Sequence, residues 1–191
     1  MSIRADTRDQ ILQAALALAQ ENSGLTMAEI AARAGLSRQA VYLHFHDRTA
    51  LLVAMVLYAD EARNLAAKFA AIAKAPSARA AVAALVSFMA ADNPGAWPVE
   101  RIFESLRQDD AVVEAAWQDR LAAGLETCRA IAQRFQKEGA LARHLSPDAA
   151  ADLLWSLTSQ RLWEELVMGR GWDAERYRSH VTYLAVGALT H

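Results

Sequence analysis

The chain has 191 residues, 54% of them hydrophobic and 22% charged, with a formal net charge of -2. That length is ample for a sizeable core in one or two compact units. The balanced charge excludes a basic tail, and residues 1–50 carry as many acids as arginines, so bulk charge does not argue for nucleic acid.

Glycine and proline are few and alanine is abundant, which favours an all-α protein of about nine helices. The amino terminus is polar and reads as no secretory signal. The first helix is expected over 7–21, with Ile11, Leu12, Ala15, Leu16 and Leu18 as its apolar stripe. After the loop Asn22-Ser23-Gly24-Leu25 come two short helices, Met27 to Arg33 and Ser37 to His44. The turn between them, Ala34-Gly35-Leu36, is tight. Thr26 with Glu29 three residues later makes a capping box, and Ser37 caps the second helix. Ala31 is small where the helices cross, and Gly35 suits a positive φ. Ile30, Leu36 and Val41 are placed to pin the pair together. Two crossed helices joined in this way form a helix-turn-helix, whose second helix enters the DNA major groove. An ordinary αα-hairpin has the same local marks.

If the motif reads DNA, residues near the start of its second helix reach base edges. Arg38 can clasp guanine O6 and N7, and Gln39 adenine N6 and N7. Ser37 is placed for a base or a phosphate. Thr26 and Arg48, each at a helix amino terminus, are candidates for phosphate. His44 and His46 do not converge as an i, i+2 pair on a helix, so no metal is expected there.

A long fourth helix is expected from Asp47 past Leu51, Met55, Tyr58, Ala62 and Phe69 to Lys74, with no interruption. Its apolar run, Ala50 to Ala59, is half of what crosses a bilayer. Pro76-Ser77 starts the next helix, which should stop at Asn93-Pro94-Gly95. Short turns follow from Pro98 to Gln108. Asp109-Asp110 opens a helix to about Glu138, closed by Gly139. Its single cysteine, Cys128, excludes an intrachain disulfide, fits a reducing cytoplasm and reads as a core residue. Ser146 and Pro147 open a helix to Met168, ended by Gly169-Arg170-Gly171, and a last helix runs from Asp173 to about Leu189.

Large aromatics in this region alternate with polar groups. Trp97, Phe103, Glu104, Arg107, Trp117, Leu121, Trp155, Gln160 and Trp163 are candidates for a small-molecule pocket, with plain core packing as the alternative for each. Tyr177, Val181, Leu184 and Ala188 recur at packing-seam spacing, and the preceding helix carries a stripe that includes Leu153 and Leu157. The chain has no Gly-rich phosphate loop, no G-x-S-x-G and no metal-spaced Cys or His set, so neither an enzyme nor a cofactor is expected.

Four motifs agree in order and spacing: T-R-x-x-I-L-x-A-A from Thr7, T-M-x-x-I-A-x-x-A-G-L-S from Thr26, Y-x-H-F from Tyr42, and Leu51-Leu52. Over residues 7–53 the chain thereby resembles the amino-terminal domain of TetR-family transcriptional regulators. It departs at Asn22-Ser23-Gly24-Leu25, where the family usually has an aromatic after a glycine. The resemblance implies a helix-turn-helix DNA-binding domain over 1–47 and a helical ligand-binding and dimerisation domain over 48–191. It implies that Tyr42 gives its hydroxyl to phosphate and that His44 adds a contact. It also implies a homodimer formed by the last two helices, through Leu153, Leu157, Arg161, Tyr177, Val181, Leu184 and Ala188. The function that follows is a cytoplasmic repressor without membrane contact, bound to a palindromic double-stranded operator and released by a small hydrophobic or aromatic effector. The alternatives are a helical protein-interaction module and an activator without a small-molecule ligand.

Overall fold

The structure is a computed structural model that describes residues 3–21, 24–108 and 110–190. No strand occurs among them, and no helix is long and apolar enough to cross a membrane. The chain divides into two compact units, residues 1–64 with 95–118, and residues 65–94 with 119–191.

The first unit contains α1 (Ile3–Gln20), α2 (Met27–Arg33), α3 (Arg38–Tyr42) and α4 (Arg48–Ala62). The expected stripe of α1 holds: Ile11, Leu12, Ala15 and Leu18 are buried, and Leu16 packs partly against the same core. Ile30, Val41, Leu51, Leu52 and Met55 complete its centre with no exposed surface. Side chains brace this core at its edges. Gln10 Nε2 donates to the Ala34 carbonyl at 2.7 Å, and Gln13 Nε2 donates to the Tyr58 hydroxyl at 2.9 Å. Val99, Phe103 and Val113 lie in the same cluster. They come from the carboxy-terminal end of α6 (Ala78–Leu106) and the start of α7 (Ala111–Lys137).

Three expected boundaries are corrected. The fourth helix does not run unbroken to Lys74: it ends at Ala62, and α5 (Leu65–Ala73) starts anew. Between them Asn64 takes a φ of 52°, a left-handed conformation that asparagine tolerates better than most residues. The next helix does not stop at Asn93-Pro94-Gly95, and the short turns expected from Pro98 do not form; α6 passes through both. A proline in a helix interior costs one backbone hydrogen bond. Against that, the residues just beyond it bury a full face: Ala96, Val99 and Phe103 are at most 3% exposed. The third boundary is Thr158. The helix expected to reach Met168 ends at Leu157, where the Thr158 hydroxyl donates to the Leu154 carbonyl at 2.8 Å. Ser159 then caps a fresh short helix. Of the pair Asp109-Asp110, Asp109 lies outside the described residues, while Asp110 Oδ1 accepts from the Val112 and Val113 N–H groups. Asn22 and Ser23 also lie outside them.

The second unit is built from α5, the adjoining parts of α6 and α7, α8 (Pro147–Leu157), α9 (Gln160–Trp163) with its π-helical continuation Glu164–Gly169, and α10 (Ala174–Thr190). Ser146 and Pro147 open α8 as expected, with Ser146 Oγ accepting from the Ala149 N–H at 3.1 Å. At the start of α6, Glu138 accepts from the Ala78 N–H at 3.0 Å, and Arg134 donates to the Ala75 carbonyl. One side of α8, with Ala150, Ala151 and Leu154, is buried, and α8 packs on α10. The buried line of α10 is Tyr177, Val181, Ala185 and Leu189, one residue every four.

Cys128 and Tyr177 lie inside this unit, and burial pushes both side chains to a pKa of about 12, from ordinary values of 9.0 and 10.0. For Cys128 a hydrogen bond to Thr158 acts in the opposite sense and is outweighed. The unfolded chain loses these protons first, so folding stability is intact below pH 9 and is lost as the pH rises toward 12. Each group contributes about 1.4 kcal/mol per pH unit once its unfolded form ionises. A urea midpoint that falls steadily from pH 9 to 11 is the expected result; a flat midpoint contradicts the burial of both groups.

Candidate nucleic-acid interface

The corner between α2 and α3 is held by its own backbone and caps. The Glu29 N–H donates to Thr26 Oγ1 at 3.2 Å, and the Thr26 N–H donates to Glu29 Oε2 at 2.9 Å, closing the capping box. The Thr26 hydroxyl itself donates to Glu29 Oε2 at 2.6 Å. These bonds, from the Thr26 side chain first and its backbone second, hold the Glu29 carboxyl below the usual carboxylate range. A Cβ at Gly24 would stand 2.3 Å from Glu29 Oε1, so a larger residue there would displace this carboxylate. Gly35 takes a φ of 66°, and the Leu36 N–H returns to the Ala31 carbonyl at 2.9 Å, which turns the chain out of α2. Ala31 is 3% exposed at the crossing, as its size predicts.

Ser37 Oγ accepts from the Ala40 N–H at 3.1 Å and so starts α3. Val41 is fully buried and Leu36 partly so, and Phe45 closes the core behind them. This anchoring decides the outward face. Arg38, Gln39, Tyr42 and Leu43 are exposed, and His44 is half-buried. Arg38 Nη2 donates to the Tyr42 hydroxyl at 3.3 Å, with the guanidinium carbon 5.6 Å from the ring centroid. Arg48 is exposed, yet its Nε donates to the Leu25 carbonyl at 2.8 Å, tying the start of α4 to the strand of chain before α2. Asp47 caps α4 through the Ala50 N–H.

The structure therefore brings Ser37, Arg38, Gln39 and Tyr42 together on one exposed face. Thr26 and Arg48 sit beside the motif, but each has an internal partner: the Thr26 hydroxyl proton is committed to Glu29, and Arg48 holds a carbonyl. Two features were not singled out in the sequence. Leu43 is 73% exposed, and His46 Nε2 lies 2.9 Å from Asp47 Oδ2. Leu43 fills the variable position of Y-x-H-F, so no motif marks it.

The nine candidate pocket residues are divided between the two units. Trp97, Phe103, Glu104, Arg107 and Trp117 belong to the first unit, and Leu121, Trp155, Gln160 and Trp163 to the second. Phe103 is core, its ring centroid 5.7 Å from that of the partly buried Trp117. Arg107 lies 5.3 Å from the Trp117 centroid and donates to Glu114 Oε2 at 3.0 Å. Trp97 is stacked by Arg101 at 5.1 Å, and Glu104 is exposed. Trp163 is buried, while Leu121, Trp155 and Gln160 are half-buried. An open cleft of about 310 Å³ exists in the second unit with a different lining: Lys68, Ala71, Ile72, Phe88, Ala91 and Asp92. Of these only Phe88 stands out in the sequence, as an aromatic. Lys68 Nζ lies 3.3 Å from Asp92 Oδ1 and 5.4 Å from the Phe88 ring centroid.

The seam expected at the last two helices is also divided. Tyr177 and Val181 are fully buried in the chain's own core. Leu153, Leu184 and Arg161 are exposed, and Leu157 and Ala188 half-buried. The partner-facing reading of Tyr177 and Val181 is thereby corrected: a four-residue step keeps them on the face that packs inside the unit.

Comparison with known proteins bears on this corner and on the whole chain. Residues 11–55 match the sequence profile of the family described as bacterial regulatory proteins, tetR family. No curated protein sequence matches significantly. Among solved structures, a Rhodococcus sp. protein classed as a TetR-family transcriptional regulator is 25% identical, with a TM-score of 0.70 over 96% of this chain and 98% of that one. A Saccharomonospora viridis protein classed as a transcriptional regulator, in complex with choline, is 18% identical, with a TM-score of 0.82 over 98% and 99%. The transcriptional regulator FadR from Bacillus subtilis, in complex with stearoyl-CoA, is 18% identical, with a TM-score of 0.73 over 94% and 98%. With the tetR profile lying on the capped α2–α3 corner and its flanking helices, residues 11–55 carry the amino-terminal domain of the TetR family of bacterial regulatory proteins, on a chain whose fold is shared with the regulators named above.

Proposed function

We propose that the chain is a homodimeric repressor that reads a near-palindromic operator in the cytoplasm and is released by a small molecule. The observation that carries the DNA reading is the exposed face of α3. Arg38, Gln39 and Tyr42 project from a helix whose underside, at Val41, is fully buried. In that reading Arg38 and Gln39 contact base edges, and Ser37, Tyr42 and His44 contact base or phosphate. Arg48 flanks them as a phosphate contact through the guanidinium N–H groups that its bond to Leu25 leaves, and Thr26 joins it only by turning its hydroxyl proton from Glu29 to the phosphate. The division of labour is a reading domain over 1–47 and an effector and dimerisation domain over 48–191.

Support for a dimer comes from α8 and α10. Leu153, Tyr183 and Leu184 are 40%, 80% and 51% exposed on helices whose other faces pack together. A two-fold dimer is the commonest closed assembly, and it would set two reading helices about 34–36 Å apart. Support for an effector comes from the cleft beside Phe88, whose volume lies at the small end of ligand sites. The structural neighbours carry ligands of unlike chemistry, choline and stearoyl-CoA, so the effector's class is left to experiment. Release by it would be a population shift, limited by its difference in affinity for the two states.

The test is selection of a bound duplex from random DNA at low ionic strength, followed by gel shift with Arg38→Ala. The expected duplex is a near-palindrome, and Arg38→Ala should cost about 1–3 kcal/mol on it. Selection that enriches no duplex would remove this reading.

A further inference from the structure

We infer that Tyr42 is a positioning residue for Arg38, so that the two side chains act on DNA as one base-reading element. The inference rests on the proposed DNA reading and assigns Tyr42 a second role within it. The observation is the contact itself. Arg38 and Tyr42 stand four apart on α3, which puts them on one helix face. The guanidinium meets the hydroxyl at 3.3 Å and lies 5.6 Å from the ring centroid.

The surroundings give this contact weight. Most of the neighbouring arginines in the first unit are held by something else. Arg33 pairs with Glu21, Arg63 with Asp60, Arg48 donates to the Leu25 carbonyl, and Arg8 lies over the Phe45 ring. Among the described residues no carboxylate is within ion-pair distance of Arg38; Tyr42 is what it touches. A long, flexible arginine loses rotamer freedom when it clasps a guanine, and one already held by a neighbouring side chain loses less. The ring can hold it without neutralising its charge. The hydroxyl adds direction. In accepting from Arg38 it keeps its own proton, which it can give to a phosphate oxygen. One tyrosine oxygen would then link a backbone phosphate to the side chain that reads the adjacent base.

A tyrosine that only binds phosphate lowers affinity alike for every sequence, because phosphate contacts carry no sequence information. A tyrosine that positions Arg38 also changes the ratio between cognate duplex and a duplex with the contacted guanine replaced. The experiment measures that ratio for the full chain and for Arg38→Ala, Tyr42→Phe, Tyr42→Leu and Arg38→Ala/Tyr42→Leu, using the duplex selected from random DNA. Arg38→Ala should lower the ratio by roughly five- to a hundredfold. Tyr42→Leu should lower it by roughly two- to fivefold, and Tyr42→Phe by less, since the ring remains. In the Arg38→Ala background Tyr42→Leu should leave the ratio unchanged while still weakening binding overall. Both side chains are exposed, so circular dichroism and the melting temperature should stay as they are. If Arg38→Ala lowers the ratio and Tyr42→Leu lowers only overall affinity, the DNA reading stands and this inference is overturned. If the unaltered chain selects no duplex, both are overturned.

Discussion

Replacing Phe103 with alanine is expected to lower the unfolding free energy by about 3–5 kcal/mol, the usual range for a fully buried phenylalanine. That is a large share of the roughly 5–15 kcal/mol that holds a domain together. Phe103 is 1% exposed, and it sits in one cluster with Ile11, Ile30, Val41, Leu51 and Met55. The loss should therefore appear in the reading corner itself. Amides of α2 and α3 should exchange faster with solvent, and DNA binding should fail at lower urea concentrations. Phe103→Leu, which keeps most of the volume, should cost much less. The residue types around Phe103 also fit a ligand pocket, and the measurement separates the two cases. A Phe103→Ala chain of undiminished stability would place the ring at an open cavity, and the core described above would be wrong.

The second large effect belongs to the proposed dimer. Leu184→Glu combined with Leu153→Glu is expected to give a monomer by light scattering, with an unchanged circular dichroism spectrum. Both side chains are exposed in the single chain, so the charges cost little in folding. Buried against a second subunit they would be unpaired, which is expensive. Loss of the partner also removes the second reading helix, and bivalent attachment is typically worth a factor of about 10²–10⁴ in affinity. Operator binding should fall by that order. Tyr177→Glu makes the contrasting control. Tyr177 is fully buried within the chain, so the same charge there should unfold the second unit. A Leu153→Glu/Leu184→Glu chain that remains a dimer would place the interface elsewhere.

The reading corner was legible in the sequence because its rules are local. Thr26 with Glu29, Ser37 before Ala40, and Gly35 at the turn each solve a backbone problem within four residues, and all appear at the expected places. The four spaced motifs then tied that corner to a family. Other features could not be read so directly. The approach of the Glu29 carboxylate to Gly24, five residues earlier, exists only once the capping box has folded. Tyr177 and Leu184 share one spacing pattern, yet one is core and the other exposed. A pattern of fours and threes covers two adjacent helix faces, and the neighbour that packs on α10 chooses between them.

By itself, then, the sequence determined the helical class, the capped corner and the residues on its exposed face, because propensity, capping and i, i+4 periodicity act over one or two turns. Tertiary structure alone decided that α6 runs through Pro94 and that Phe103 is core. It alone located the cleft at Phe88 and broke the long helices at Asn64 and Thr158. Those outcomes compare a local cost with the apolar area that distant segments bury, and that area exists only once the helices have met.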